Sequence, residues 1–154
     1  MTYETLLEKA EQQHLTVNEL DMAQFDGLII GKDIFLRSTI NTQKQKACVL
    51  AEEIGHALTS AGNILDYNVQ NNWRQEVKAR TVGYELMVGL DDIVEAFNSG
   101  CRNRYELAEY LGVTEKYLQE AVERYHEKYG VYVNKGNYCV MFEPCLTVIK
   151  KIER

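Results

Sequence analysis

The sequence predicts a mainly helical α+β domain. A small β-hairpin lies near its start, a helix pair towards its end, and a second β-hairpin at the terminus. Three observations carry that prediction. Apolar residues recur at helical spacing over several long stretches. Short β-branched and aromatic runs flank glycine-containing turns, once early and once late. Proline occurs only once in 154 residues, so little of the chain reads as linker.

Taken in order, Thr2 to Gln13 suits an amphipathic helix. Leu28-Ile29-Ile30 and Ile34-Phe35-Leu36 flank Gly31-Lys32-Asp33, which makes Gly27 to Ile40 a hairpin. Thr42 to Thr59 is a helix with Ala47, Leu50, Ala51, Ile54, Ala57 and Leu58 on one apolar face. Ser60 to Asn72, with Gly62-Asn63 and a polar run, reads as a loop. Trp73 to Val88 is a second long helix. Leu90 to Phe97 is a short one, stopped by Asn98-Ser99-Gly100. Arg104 to Tyr110 and Thr114 to Tyr129 form the helix pair, joined at Gly112, with Thr114 as N-cap. Val131 to Val133 and Tyr138 to Phe142 flank Asn134-Lys135-Gly136-Asn137 as the terminal hairpin, and Leu146 to Ile149 fits a third strand. This pattern predicts a core over residues 1–100, with the helix pair and hairpin of 101–154 packed on it as one compact unit.

Hydrophobic residues make up 45% of the chain and charged residues 26%, an ordinary globular balance. The net charge of −6 argues against a direct nucleic-acid binder, which needs a basic surplus for phosphate contacts. Glu106 to Thr114 resembles the first half of a helix-turn-helix. Arg102 to Lys128, however, holds five basic and six acidic residues, which suits a structural or protein-binding helix pair better than a DNA reader. The first ten residues read as the start of an amphipathic helix rather than a signal peptide. No apolar run reaches the ~20 residues of a membrane span. Cys48, Cys101, Cys139 and Cys145 form no CxxC pair and read as reduced thiols of a cytoplasmic protein. Nothing in the pattern fixes an oligomeric state.

The chemistry concentrates on the helix Thr42 to Thr59. Its other side carries Glu52, Glu53 and His56, with Cys48 one turn earlier. Residues four apart on a helix face the same way, so Glu52 and His56 can grip one object together. Glu53 lies about 100° round from Glu52. The spacing is that of H-E-x-x-H, in which the outer pair holds zinc and the inner Glu is a general base, with Glu52 in place of the first His. On the next long helix Glu76, Ala79 and Gly83 share a face, and the two small residues would let another helix approach closely. Convergence of Glu52, Glu53 and Glu76 demands a counter-charge. A divalent cation held by Glu52, His56 and Glu76 supplies it, leaving one position for water and Glu53 to take the proton. Arg74 or Arg80 could supply it instead, which would make the cluster structural.

The segment from Cys48 to Ser60 with Gly62-Asn63-Ile64-Leu65-Asp66, and Arg74-Gln75-Glu76 with Ala79, resemble the ImmA/IrrE family of metallopeptidases, in the branch found in prophages and integrative elements. Phe142-Glu143-Pro144 is similar to that branch's final strand. The resemblance covers the chain from about residue 15 onward. It implies a zincin-like, specifically gluzincin-like, fold and a cytoplasmic metal-dependent endopeptidase. It also implies an HTH-type repressor as substrate, whose cleavage derepresses mobile-element genes. By the same resemblance His56 and Glu76 match metal ligands and Glu53 the general base, while Glu52 stands where the family has His. A carboxylate is a harder donor than imidazole, so the site should hold Zn less firmly and accept Mn or Fe.

Around this set, Cys48 reads first as a small buried hydrophobe and second as a soft extra ligand. Asp66 either steadies a ligand from behind or caps the loop. Tyr84 either polarises a carbonyl near the site or packs in the core. The other reading of the whole pattern is a decayed metallopeptidase fold that binds a repressor or another protein without cutting it.

Overall fold

The computed structural model describes residues 1–59 and 69–152. Within them the element order is α1 (Tyr3–Gln12), β1 (Thr16–Leu20), β2 (Gly27–Ile30), β3 (Asp33–Arg37), α2 (Gln43–Thr59), α3 (Val69–Met87), α4 (Leu90–Asn98), α5 (Arg104–Leu111), α6 (Glu115–Tyr129), β4 (Tyr132–Lys135), β5 (Tyr138–Met141) and β6 (Thr147–Lys150). The mixed helical and two-sheet content is the α+β class that the sequence predicts. The chain divides into two compact units, Met1–Met87 and Val88–Arg154. The division falls one helix before residue 100, because α4 packs with α5, β5 and β6.

In the first unit the expected hairpin forms: β2 pairs antiparallel with β3, Ile29 opposite Ile34. A third strand joins it. β1 runs parallel to β3 on the other edge, with Thr16 opposite Asp33 and Leu20 opposite Arg37, giving the order β1-β3-β2. The Thr16 hydroxyl donates to Asp33 Oδ1. Thr-Val-Asn-Glu-Leu shows no clean alternation because four of its five residues stay exposed, so no apolar signal announces this strand. The core lies between the sheet and the helices. Leu6 and Ala10 of α1, Ile34 and Leu36 of β3, and Leu50, Ala51 and Ile54 of α2 are all fully buried.

α2 differs from a simple amphipathic helix. The predicted apolar stripe fails at its end, where Leu58 is 44% exposed. Glu53, expected on the far side, is buried, and Cys48 is buried as its reading as a small hydrophobe expects. The reason is that α2 is covered from two directions, by α3 and by β2. α3 in turn begins at Val69, four residues earlier than its apolar pattern shows, so the end of the predicted loop is helical. A polar turn adds readily to a helix already nucleated and packed. The rest of that predicted loop, with Asp66, lies outside the described residues.

α2 and α3 meet backbone to backbone. A Cβ added at Gly55 would stand 2.1 Å from the Ala79 carbonyl oxygen, and one at Gly83 would stand 3.1 Å from the Ala51 carbonyl oxygen. Ala51 and Ala79 are fully buried in the same seam. Four small residues thus replace the side-chain layer that normally keeps helix axes ~8–10 Å apart.

The second unit is built as its caps dictate. Asn103 accepts from the Glu106 amide at the start of α5, Gly112 ends that helix in the left-handed conformation, and Thr114 accepts from the Tyr117 amide to open α6. Arg104 ties the pair together through Gln119 and Glu115. The terminal hairpin carries its third strand, in the order β4-β5-β6. Phe142-Glu143-Pro144 follows β5 as a bend rather than forming a strand. There Phe142 packs against Tyr125 and Tyr129, and Glu143 pairs with His126. The Tyr125 hydroxyl donates to the Val88 carbonyl at 2.8 Å in the core of this unit.

The seam between α2 and α3 generates a graded prediction. Gly55→Ala puts a methyl group into a backbone carbonyl that cannot rotate away, and should cost ~3 kcal/mol or more in urea unfolding. Gly83→Ala meets a looser contact and gains ~1 kcal/mol of helix propensity, so its net effect should stay within about 1 kcal/mol of zero. Equal effects at the two positions would contradict a seam of this geometry.

Candidate metal centre

Two helices build the site. α2 supplies Glu52 and His56, one turn apart, and α3 supplies Glu76. Because Gly55 and Ala79 let the backbones touch, the flanking long side chains of the two helices overlap in space. Among the described residues, Glu52, His56 and Glu76 each offer one donor atom, and these atoms all lie within 4.8 Å of one another. His56 Nε2 stands 3.2 Å from Glu76 Oε2. All three side chains are partly exposed, so the cluster is open to solvent on one side.

This donor set fits a divalent ion. One imidazole nitrogen and two carboxylate oxygens are a borderline-to-hard set suited to Zn, Mn or Fe. Donors at ~2.1 Å from one ion in tetrahedral arrangement stand about 3.4 Å apart. The His56–Glu76 separation already matches that edge, and Glu52 needs only a small side-chain adjustment to join it.

The electrostatics show how crowded the negative charge is. Burial pushes the Glu52 carboxyl above its ordinary value; Arg80 and His56 oppose that, while Glu76 adds to it by repulsion and by sharing a hydrogen bond. Glu53 is pushed up to about 7, first by burial and then by repulsion from Glu52 and Glu76. The burial has a visible cause. Glu53 is 8% exposed because β2 runs beside it: a Cβ at Gly27 would lie 3.0 Å from Glu53 Oε1 and 2.6 Å from Val49 Cγ1. Only a glycine lets the strand come this near the carboxylate.

One positive group stands in the cluster. Arg80 Nε donates to Glu76 Oε1 at 3.0 Å and lies 3.5 Å from Glu52 Oε1. Arg74, the other basic candidate, is exposed and forms no part of this arrangement. Cys48 is buried and stands outside the donor cluster, in line with its packing role. Tyr84 is buried one turn beyond Arg80 and within its electrostatic reach. Asp66 lies outside the described residues.

Sequence reasoning brought Glu52, Glu53, His56 and Glu76 forward; Glu52, His56 and Glu76 come together here, while Glu53 lies against β2. It missed Gly55 and Gly27. Gly55 left a usable signal, since a glycine inside a strong helix costs ~1 kcal/mol and so implies a close approach. Gly27, at the edge of a hairpin, left none.

The raised Glu53 predicts a pH effect on the metal-free protein. Between its ordinary value of 4.5 and about 7, the folded state keeps a proton that the unfolded chain has lost. The stabilisation is therefore full below pH 4.5 and is lost as pH rises through 7. In chelator-treated samples, Glu53→Gln should be more stable than wild type by up to ~3 kcal/mol at pH 8 and equal to it near pH 4.5. A difference independent of pH in denaturant titrations would contradict this.

One comparison with known proteins covers these residues. The family model described as Peptidase M78, the IrrE N-terminal-like domain, matches residues 2–123 and so includes α2, α3 and every donor of the cluster. No curated protein matches the chain. No helix among the described residues is long and apolar enough to cross a membrane.

Proposed function

The chain belongs to the IrrE N-terminal-like family, Peptidase M78, and from that premise we propose that it is a metal-dependent endopeptidase whose substrate is a cytoplasmic HTH-type repressor. The observation that supports this reading most is the convergence of Glu52, His56 and Glu76 beside a buried carboxyl, Glu53, whose proton affinity sits near neutrality.

In this reading Glu52, His56 and Glu76 hold the ion, Zn first and Mn or Fe as alternatives. When bound, the ion supplies Lewis acidity towards a peptide carbonyl and water. The chain's own part is proton handling and exclusion of solvent. A general base must hold a proton in the course of the reaction, and burial against β2 raises the proton affinity of Glu53. Glu53 accepts the proton of the attacking water and returns it to the leaving amine. Gly27 keeps the strand against the carboxylate and limits its solvation. The repressor as substrate, and release of mobile-element genes as outcome, rest on the resemblance of the α2 and α3 motifs to the prophage branch of this family.

A second reading has an observation of its own. Arg80 already offsets part of the charge on Glu52 and Glu76, as it would in a purely structural ion-pair cluster. A protein of this kind would bind its repressor without cutting it.

Incubation with the HTH-type repressor encoded nearest to it, with zinc or manganese added, separates the two. The endopeptidase reading expects two repressor fragments. It also expects Glu53→Gln to retain its metal and slow cleavage by at least about 100-fold. Undiminished cleavage by that variant would refute the role of Glu53. Tight repressor binding with no fragments under either metal would establish the binding module.

A further inference from the structure

The proposed chemistry uses every charged side chain of the cluster except Arg80. This residue lies one turn after Glu76 on α3, so its contact with Glu76 is set by the helix itself. From there Nε donates to Glu76 Oε1 at 3.0 Å and lies 3.5 Å from Glu52 Oε1 on the neighbouring helix. Glu76 divides its two oxygens between partners. Oε2 faces His56 at 3.2 Å, while Oε1 is taken by Arg80. Arg80 therefore leaves the oxygen that faces His56 open and fixes the carboxylate by the other.

We propose that Arg80 is the positioning residue of the metal centre: its Nε–H holds Glu76 by Oε1 and its charge draws in Glu52, so that Glu76 Oε2 stays aimed at a common point with His56. The proposal rests on the reading of Glu52, His56 and Glu76 as ligands. It explains how this chain carries Glu52 where the H-E-x-x-H spacing has a neutral imidazole. The substitution adds a negative charge to the donor set, and two carboxylates this close repel unless something joins them. A guanidinium suits that task, because its Nε–H is fixed in a rigid plane and directed at Glu76 Oε1; an ammonium would act as a single point charge. Hydrogen bonds to a ligating carboxylate orient it, and removing them weakens metal binding.

Repulsion between Arg80 and a bound cation acts in the opposite direction. The Arg80 side chain is 53% exposed, so water and salt screen its charge, whereas the direct hydrogen bond to Glu76 persists. Orientation should outweigh repulsion.

The test is zinc affinity, measured on metal-free full-length protein by competition with a chromophoric chelator. Wild type is compared with Arg80→Ala, Arg80→Lys and Arg74→Ala, and thermal unfolding of each metal-free variant is recorded alongside. Arg80→Ala should weaken zinc binding by ~10–100-fold while its unfolding temperature changes little. Arg80→Lys, which keeps the charge and loses the directed Nε–H, should fall between Arg80→Ala and wild type. Should Arg80→Ala fail to fold, a clear loss of affinity in Arg80→Lys carries the same support. Arg74→Ala, altered on an exposed residue of the same helix, should match wild type within about twofold. Affinity that is unchanged or tighter in Arg80→Ala would overturn the proposal and make Arg80 a competitor for the carboxylates. A wild type that takes up no zinc would overturn the ligand reading, and this inference with it.

Discussion

Everything at this site depends on two helix backbones being allowed to touch. Gly55 and Gly83 face the carbonyl oxygens of Ala79 and Ala51, and no side-chain layer separates α2 from α3. Glutamate and histidine side chains are short relative to an ordinary interhelical gap. With the axes pressed together, Glu76 of α3 reaches the Glu52–His56 pair of α2, and three donors from two elements close to within 4.8 Å. Each glycine costs helix propensity, about 1 kcal/mol relative to alanine, and the close packing of the seam offsets that cost.

The same compression creates an electrostatic problem, which the fold treats in three different ways. Glu53 is turned towards β2 and sheltered there, which raises its proton affinity and takes its charge out of the cluster below neutral pH. Glu76 faces His56 with one oxygen and Arg80 with the other. Glu52 is desolvated and next to another carboxylate, with Arg80 as its main relief. A group in that position favours any cation that can replace the missing hydration. The arrangement thus explains why an acidic residue can occupy the first position of the motif without disrupting the helix that carries it.

Much of this was legible in the chain itself. The i, i+4 spacing of Glu52 and His56 placed them on one face, and the Glu76–Ala79–Gly83 pattern pointed to a close helix partner. The caps at Thr114 and Gly112 marked the second helix pair almost to the residue. Local rules of this kind depend on neighbours in sequence, so sequence displays them. β1 escaped because four of its five residues are exposed and its partner, β3, lies well along the chain. The burial of Glu53 escaped for a related reason. On a helical wheel it belongs to the polar side, and only the arrival of β2 with Gly27 turns that side inward. Arg80 could be named as a possible counter-charge but not chosen over Arg74, since that choice requires knowing which face of α3 meets α2.

The central claim is that one ion is held by one imidazole and two carboxylates drawn from α2 and α3. X-ray absorption at the zinc edge of the protein loaded with one equivalent tests it most directly. Such a centre gives oxygen and nitrogen scatterers near ~2.0–2.1 Å, with the outer-shell signature of a single imidazole and no sulfur at ~2.3 Å. A sulfur shell would bring Cys48 into the ligand set, and two or more imidazoles would require a His other than His56. Either result would contradict a centre built from Glu52, His56 and Glu76.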